Sequence, residues 1–187
     1  MSVVIRPSPA VFLGTPQILI VFGAFLKYDT AHTVSAFEGE RLAQLVAEAR
    51  RYRVSLGFAR RMNPDGSPRS GTWIPGCRPS VRDMLFDHVG DSALSNPELE
   101  LVLCDRIGQG LFFAGPASDS SIQFTLEACI SSGLPVKRVD HQDMLQKCST
   151  APRLKSSSNL FPYWARDGLL TTYSSWVRTL RNVEDAE

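Results

Sequence analysis

The sequence holds no apolar run long enough to cross a bilayer. Its longest, "ILIVFGAFL" from Ile18 to Leu26, is far short of the ~20 residues a spanning helix needs and reads as a buried strand. The segment before it is a proline-bearing arm (residues 1–15) with a single arginine. It lacks the charged region and small-residue cleavage site of a secretory leader. No block of like charge stands out, and 20 Lys and Arg against 19 Asp and Glu leave a formal charge of +1. That balance gives no electrostatic reason to expect nucleic acid or an anionic membrane as a partner. The four cysteines, Cys77, Cys104, Cys129 and Cys148, include no CxxC pair. Such spacing excludes a close-set metal cluster or redox dithiol, and a disulfide framework is unnecessary at this length. Reduced thiols in a cytoplasmic protein are the expectation. No internal repeat is visible.

The 187 residues, 43% hydrophobic and 21% charged, suit one globular domain spanning 1–187 with a core of its own. Residues 17–23, "QILIVFG", read as a strand covered on both faces. Leu42, Leu45, Val46 and Ala49 fall at helical spacing within 36–53. "VSLGFAR" (54–60), "DMLFDH" (83–88), "GLFFAG" (110–115) and "PVKRVD" (135–140) are further strand candidates. Asn96-Pro97 opens a helix as N-cap and first helical residue, continuing to about Asp105. Another runs from about Ser120 to Ser132, closed by Gly133. The tail adds a short helix, a small strand near 168–172 and a last helix carrying Trp176, Val177 and Leu180, which either close the core or offer an assembly surface. The proline- and glycine-rich 61–80 reads as a long irregular loop, and 149–158 as a flexible polar segment.

Strands alternating with helices imply βαβ units and a parallel sheet with helices on both faces. Ligands of such sheets bind beyond the carboxyl ends of the strands, where strand order reverses. Three segments therefore carry the functional reading: Gly23–Tyr28, His88–Asn96 and Gly115–Ser121.

Together these segments resemble the isochorismatase-like hydrolases, which include nicotinamidases, N-carbamoyl amide hydrolases and isochorismatases. "FFAGPASDSSIQFTLEACISSGLPVKRVDH", from Phe112, is similar to the family's strand, Gly-x-x-Thr-Asp-x-Cys turn, helix and following strand. "DSALSNPEL" (91–99) is similar to its Ser-Ala-Phe stretch, "ILIVFGAFLKY" to its first strand, and "DGLLTTYSSWV" to its closing strand and helix. The resemblance implies a three-layer α/β/α fold, a doubly wound, Rossmann-like, six-stranded parallel sheet. It also implies a mechanism in which a cysteine attacks an amide carbon, with an aspartate as base, a lysine in support and backbone amides holding the oxyanion.

All three catalytic positions of that pattern are changed here. The family's aspartate falls on Gly23 and its glutamine on Phe25; its lysine falls at or near His88, and its cysteine on Ser121. The nicotinamidases' Asp-and-His metal site has no counterpart in 61–78, which contains no histidine. No metal or other cofactor is expected. The resemblance thus implies a hydrolase-fold protein with an impaired site, a pseudoenzyme that binds a small molecule or a protein partner and assembles as a homo-oligomer.

A serine hydroxyl needs a positioned base, and Gly23 offers none. The alternative is a divergent hydrolase of a small amide, ester or vinyl ether, with Ser121 as nucleophile and His88 as base, oriented by Asp83, Asp87 or Asp91. The expected pocket comprises Gly23, Phe25, Trp73, Gly115, Ser118, Asp119 and Ser120, its floor made roomier and more apolar by Gly23 and Phe25. Ser118 or Asp119 is expected to cap the following helix. Cys129 is expected in the core, and Cys77 nearer the pocket mouth. His32 is expected exposed and His141 structural.

Overall fold

Strand β1 (Gln17–Val21) lies near the middle of a sheet whose order, with the strands numbered along the chain, is β5-β3-β1-β6-β7-β8. The computed structural model describes residues 17–27, 36–116, 119–140 and 169–184. The 1–15 arm, the 149–158 segment, Ser118, His32, His141 and Cys148 lie outside the described residues. The other sheet strands are β3 (Ser55–Arg61), β5 (Met84–His88), β6 (Gly110–Ala114), β7 (Val136–Asp140) and β8 (Leu170–Thr172). Every neighbouring pair is parallel, as the doubly wound reading requires.

The sheet alternates its side chains between two apolar layers, because successive residues of a strand face opposite ways. Leu19 and Val21 of β1, with Phe112 and Ala114 of β6, pack on one side. There they meet Leu42, Leu45, Val46 and Ala49 of α1 (Ala36–Arg51), and Trp176, Val177 and Leu180 of α4 (Tyr173–Glu184). Ile18, Ile20, Leu111 and Phe113 face the other side, against Leu99 and Leu103 of α2 (Pro97–Asp105) and Ile122, Leu126 and Cys129 of α3 (Ser120–Ser131). Each of these large side chains contributes about 1.5–3 kcal/mol on burial. Trp176, Val177 and Leu180 therefore close the core rather than forming a surface.

Local chemistry sets the helix ends. The Asn96 side chain accepts from the amides of Glu98 and Leu99 with Pro97 at the first helical position. Gly133, at φ +74°, follows the α3 C-cap in the left-handed region where glycine is unstrained. Glu38 in the first turn of α1 and Arg50 and Arg51 in its last turn complement the helix dipole.

Residues 61–80 depart from the expectation of irregular structure throughout. Within them Gly71–Trp73 forms β4, antiparallel to β2 (Phe25–Lys27) in a separate two-stranded ribbon. The ribbon depends on a partner 48 positions away, Phe25 opposite Trp73, which no local pattern announces. Ile74 then donates its N–H to the Ala24 carbonyl at 2.8 Å and buries its side chain in the core. Trp73 is thereby pinned to the body. No helix among the described residues is long and apolar enough to cross a membrane.

Candidate functional site

The chain leaves β1 toward β3 and β5 on one side and returns through β6 toward β7 and β8 on the other. The reversal falls between β1 and β6, and there the two strand ends crowd together. Phe22 donates its N–H to the Ala114 carbonyl at 2.7 Å. A Cβ on Gly115 would stand 2.9 Å from Cβ of Phe22. Gly23 has φ +64°, and a Cβ there would stand 2.7 Å from the Pro116 ring and 3.0 Å from Oδ2 of Asp119. The space beside Gly23 is thus filled by Pro116 and Asp119, and the floor is not roomier there, contrary to the sequence reading. Phe25 turns from the floor to meet Trp73 edge-on, ring centroids 5.1 Å apart, with the Arg60 guanidinium over its face at 5.6 Å.

Asp119 is the N-cap of α3. Its Oδ1 accepts from the Ser121 amide at 2.9 Å and from the Ser121 hydroxyl at 2.6 Å. The buried hydroxyl therefore does have a carboxylate in contact, supplied by its own cap and not by the neighbouring strand. The same pair recurs on an exposed loop. Ser67 donates its amide and hydroxyl to Oδ1 of Asp65 at 2.9 and 2.6 Å. An Asp-x-Ser turn makes this contact by local geometry alone, so the contact is not by itself a sign of an activated nucleophile. Ser120, between them, is exposed.

Thr125, fully buried, ties this helix start to the neighbouring loop. Its hydroxyl donates to the Ser121 carbonyl at 2.6 Å and accepts from the Ala93 amide at 2.8 Å. Ala93 opens a short 3-10 turn (Ala93–Ser95) before α2.

His88 ends β5 at 2% exposure. Its Nδ1 is 3.0 Å from the Gly90 carbonyl. A carbonyl only accepts, so Nδ1 carries the proton and Nε2 of the neutral ring presents a lone pair. That Nε2 is buried without a hydrogen-bond partner. Burial holds the imidazole below its usual titration range, while the Gly90 hydrogen bond and Asp119 pull the other way and Arg61 and Arg69 assist the lowering. No hydrogen bond joins His88 to Ser121. Ser121 lies in the first turn of α3, which Thr125 ties to the Ala93 loop beyond β5, so the two residues belong to the same edge of the sheet without being bonded.

The aspartates considered as orienters of His88 are held by arginines. Asp83 receives Arg50 at 2.8 Å and the Ser80 amide at 2.7 Å. Asp87 takes a two-pronged bond from Arg60, both contacts 2.7 Å, and Asp91 pairs with Arg61. Gly90 does the orienting instead. Cys129 lies in the core, its thiol pushed up to about 12 by burial. Cys77 is also fully buried, not at a mouth, with its thiol raised to about 11.

Two arginines that the sequence reading did not single out complete the site. Arg69 donates Nε–H to the Met62 carbonyl at 2.9 Å, and Met62 donates its amide to the His88 carbonyl at 2.8 Å. Arg138, on β7, is held below its usual range mainly by burial, with Asp140 and Asp119 opposing. An arginine within a strand of a sheet covered on both faces was a legible signal for Arg138. Arg69 sits in a polar loop and gave none. Among the described residues no group of three or more His, Cys, Asp or Glu is placed to hold a metal ion.

This architecture is the isochorismatase-like hydrolase fold. The chain is similar to a cysteine hydrolase from Pseudomonas syringae pv. phaseolicola, with TM-score 0.65 and 16% identity over 90% of this chain and 93% of that one. It is also similar to an N-carbamoylsarcosine amidase from Thermoplasma acidophilum, with TM-score 0.61 and 15% identity over 84% and 95%. An isochorismatase from Pseudomonas putida matches with TM-score 0.54 and 21% identity over 66% and 68%. No family model and no curated protein matches the sequence.

Proposed function

We propose that the chain is an isochorismatase-like hydrolase relative that has lost the Asp-Lys-Cys apparatus and holds a small molecule at the β1/β6 reversal without cleaving it. One observation carries this reading. The Ser121 proton is directed to the capping oxygen of Asp119, the His88 Nδ1 proton goes to Gly90, and the two residues share no hydrogen bond. A nucleophilic hydroxyl requires its proton to pass to a base poised near neutrality, and a carboxylate that doubles as helix cap is a weak substitute. Gly23 and Ser121 stand where the resemblance places the aspartate and cysteine, and its lysine falls at or near His88. The fold's ligand position does not depend on those side chains. A homo-oligomer is part of the same proposal, to be read from native mass.

The His88 tautomer favours one second reading. A buried Nε2 lone pair is the form a general base takes. Ser121 and His88 would then cleave a small amide, ester or vinyl ether once substrate drew them together. A fluorophosphonate probe followed by intact mass separates the two. The binding reading expects no adduct on the folded chain. An adduct that disappears in Ser121→Ala establishes the hydrolase instead.

A further inference from the structure

β5 is an outermost strand of the sheet, with β3 on one side and no strand on the other among the described residues. His88 turns its carbonyl to β3, accepting from the Met62 amide at 2.8 Å. Main-chain groups alternate sides along a strand, so Met84 and Phe86 also face β3, whereas Leu85 and Asp87 face outward. Two groups on that open side are already satisfied. The Asp87 carbonyl accepts from Nδ2 of Asn96 at 2.8 Å, and the Asp83 amide, at the foot of the strand, donates to the Ser80 carbonyl at 3.1 Å. Both groups of Leu85, the Asp87 amide and the Asp83 carbonyl have no partner among the described residues. The strand carries neither the proline nor the lysine that commonly guards such a side. Leu85 is 39% exposed, and Val81 and Val89, four residues before and after it, are exposed as well.

These groups are self-complementary about one residue. An antiparallel second copy centred on Leu85 exchanges two hydrogen bonds between the two Leu85 residues, and each Asp87 amide donates to the opposite Asp83 carbonyl. In that register the Asp83 amide would face the opposite Asp87 carbonyl, and those are the two groups satisfied internally, so neither is orphaned. Moving the centre to Met84 or Phe86 sets Leu85 against an aspartate and calls on one of the spent groups. Centred on Leu85, leucine meets leucine and Val81 falls toward Val89 of the other copy. Asp83 comes opposite Asp87, but each brings its own counter-charge: Arg50 at 2.8 Å, and Arg60 through two bonds of 2.7 Å. We propose that the open side of β5 is the surface through which two copies of this chain pair. The contact joins their six-stranded sheets about a twofold axis at Leu85. It specifies the homo-oligomer proposed above and rests on that part of the reading.

Sedimentation velocity of the full chain over a wide concentration range tests this. A concentration-dependent dimer is expected. Leu85→Lys sets two like charges opposite each other and should weaken it about tenfold or more. Leu101→Lys, at an exposed leucine of α2, should leave it unchanged. A second measurement reads the axis directly. In a chain carrying Cys104→Ser and Cys148→Ser, Leu85→Cys should crosslink to its own copy on mild oxidation, because the paired Cα atoms would lie about 5.5 Å apart. Leu101→Cys in the same background should not. A dimer undiminished in a Leu85→Lys chain of native circular dichroism overturns the β5 assignment and leaves a homo-oligomer standing. So does a dimer in which Leu85→Cys forms no crosslink. A monomer at every concentration overturns both the assignment and the homo-oligomer, and leaves the small-molecule reading to its own test.

Discussion

Gly23 and Asp119 compete for one space: a Cβ on Gly23 would stand 3.0 Å from Oδ2 of Asp119. With Pro116 closer still, at 2.7 Å, this backbone does not accept a carboxylate at position 23 and the α3 cap in its present place together. The absence of an acid on the first strand and the seating of the cap are therefore one structural fact.

Gly23→Ala should be strongly destabilising. The left-handed backbone costs a side chain about 1–2 kcal/mol, and the overlap with Pro116 about 1–3 kcal/mol more. Urea denaturation is expected to show a total loss of about 2–5 kcal/mol. Gly23→Asp should suffer similarly and gain no amidase activity, even combined with Ser121→Cys. Recovered hydrolysis in that double variant would mean the site retains its catalytic geometry.

Asp119 can be tested as cap against base with two substitutions. Asn caps as well as Asp, so Asp119→Asn should unfold within about 0.5 kcal/mol of wild type, whereas Asp119→Ala should lose about 1–2 kcal/mol. Equal losses in both would show that the charge matters and the cap does not.

Thr125→Val removes the hydroxyl between α3 and the Ala93 turn and leaves the buried Ala93 amide unbonded. The expected loss is about 1–3 kcal/mol by thermal or chemical denaturation. Amide exchange at Ala93 should quicken markedly. Unchanged protection there would mean the amide has another acceptor.

Burial lowers the His88 pKa from its ordinary 6.5, so over an interval below that value the unfolded chain binds the proton that the folded chain refuses. Stability is then full above about pH 6.5 and falls as pH drops through that interval, by at most about 1.4 kcal/mol per pH unit. The groups facing His88 are Asp119, which resists the lowering, and Arg61 and Arg69, which reinforce it. His88→Asn keeps a donor for Gly90 and has nothing to titrate. The difference between wild-type and variant melting curves should shrink the slope between pH 5 and 7; parallel slopes would refute a buried neutral His88.

The helix boundaries and the positions of the sheet strands were legible because their causes are local. Asn96-Pro97, Gly133 and the apolar spacing of α1 act over a single turn, and the alternating faces of β1 and β6 follow from adjacent residues. The Asp119–Ser121 contact is equally local, as its twin at Asp65 and Ser67 demonstrates, yet its relation to Gly23 was not. Cys77 looked like a loop residue because no sequence pattern reveals that Ile74 and its neighbours fold back onto α1. The aspartates suggested for His88 were plausible by proximity along the chain, but guanidinium groups from β3 and α1 claim them first.

By itself the sequence determined a doubly wound parallel sheet, a serine at the turn after its central strand and a glycine where an acid would be needed. The first two follow from periodicity and residue identity; that position 23 is where an acid would stand is what the family resemblance implies. Only the tertiary structure decided that β2 pairs with β4, that Pro116 and Asp119 fill the space beside Gly23, and that His88 is buried with Nε2 unpartnered. Each of these is a meeting of segments far apart in the chain, settled by strand register and by competition among nearby charges for partners.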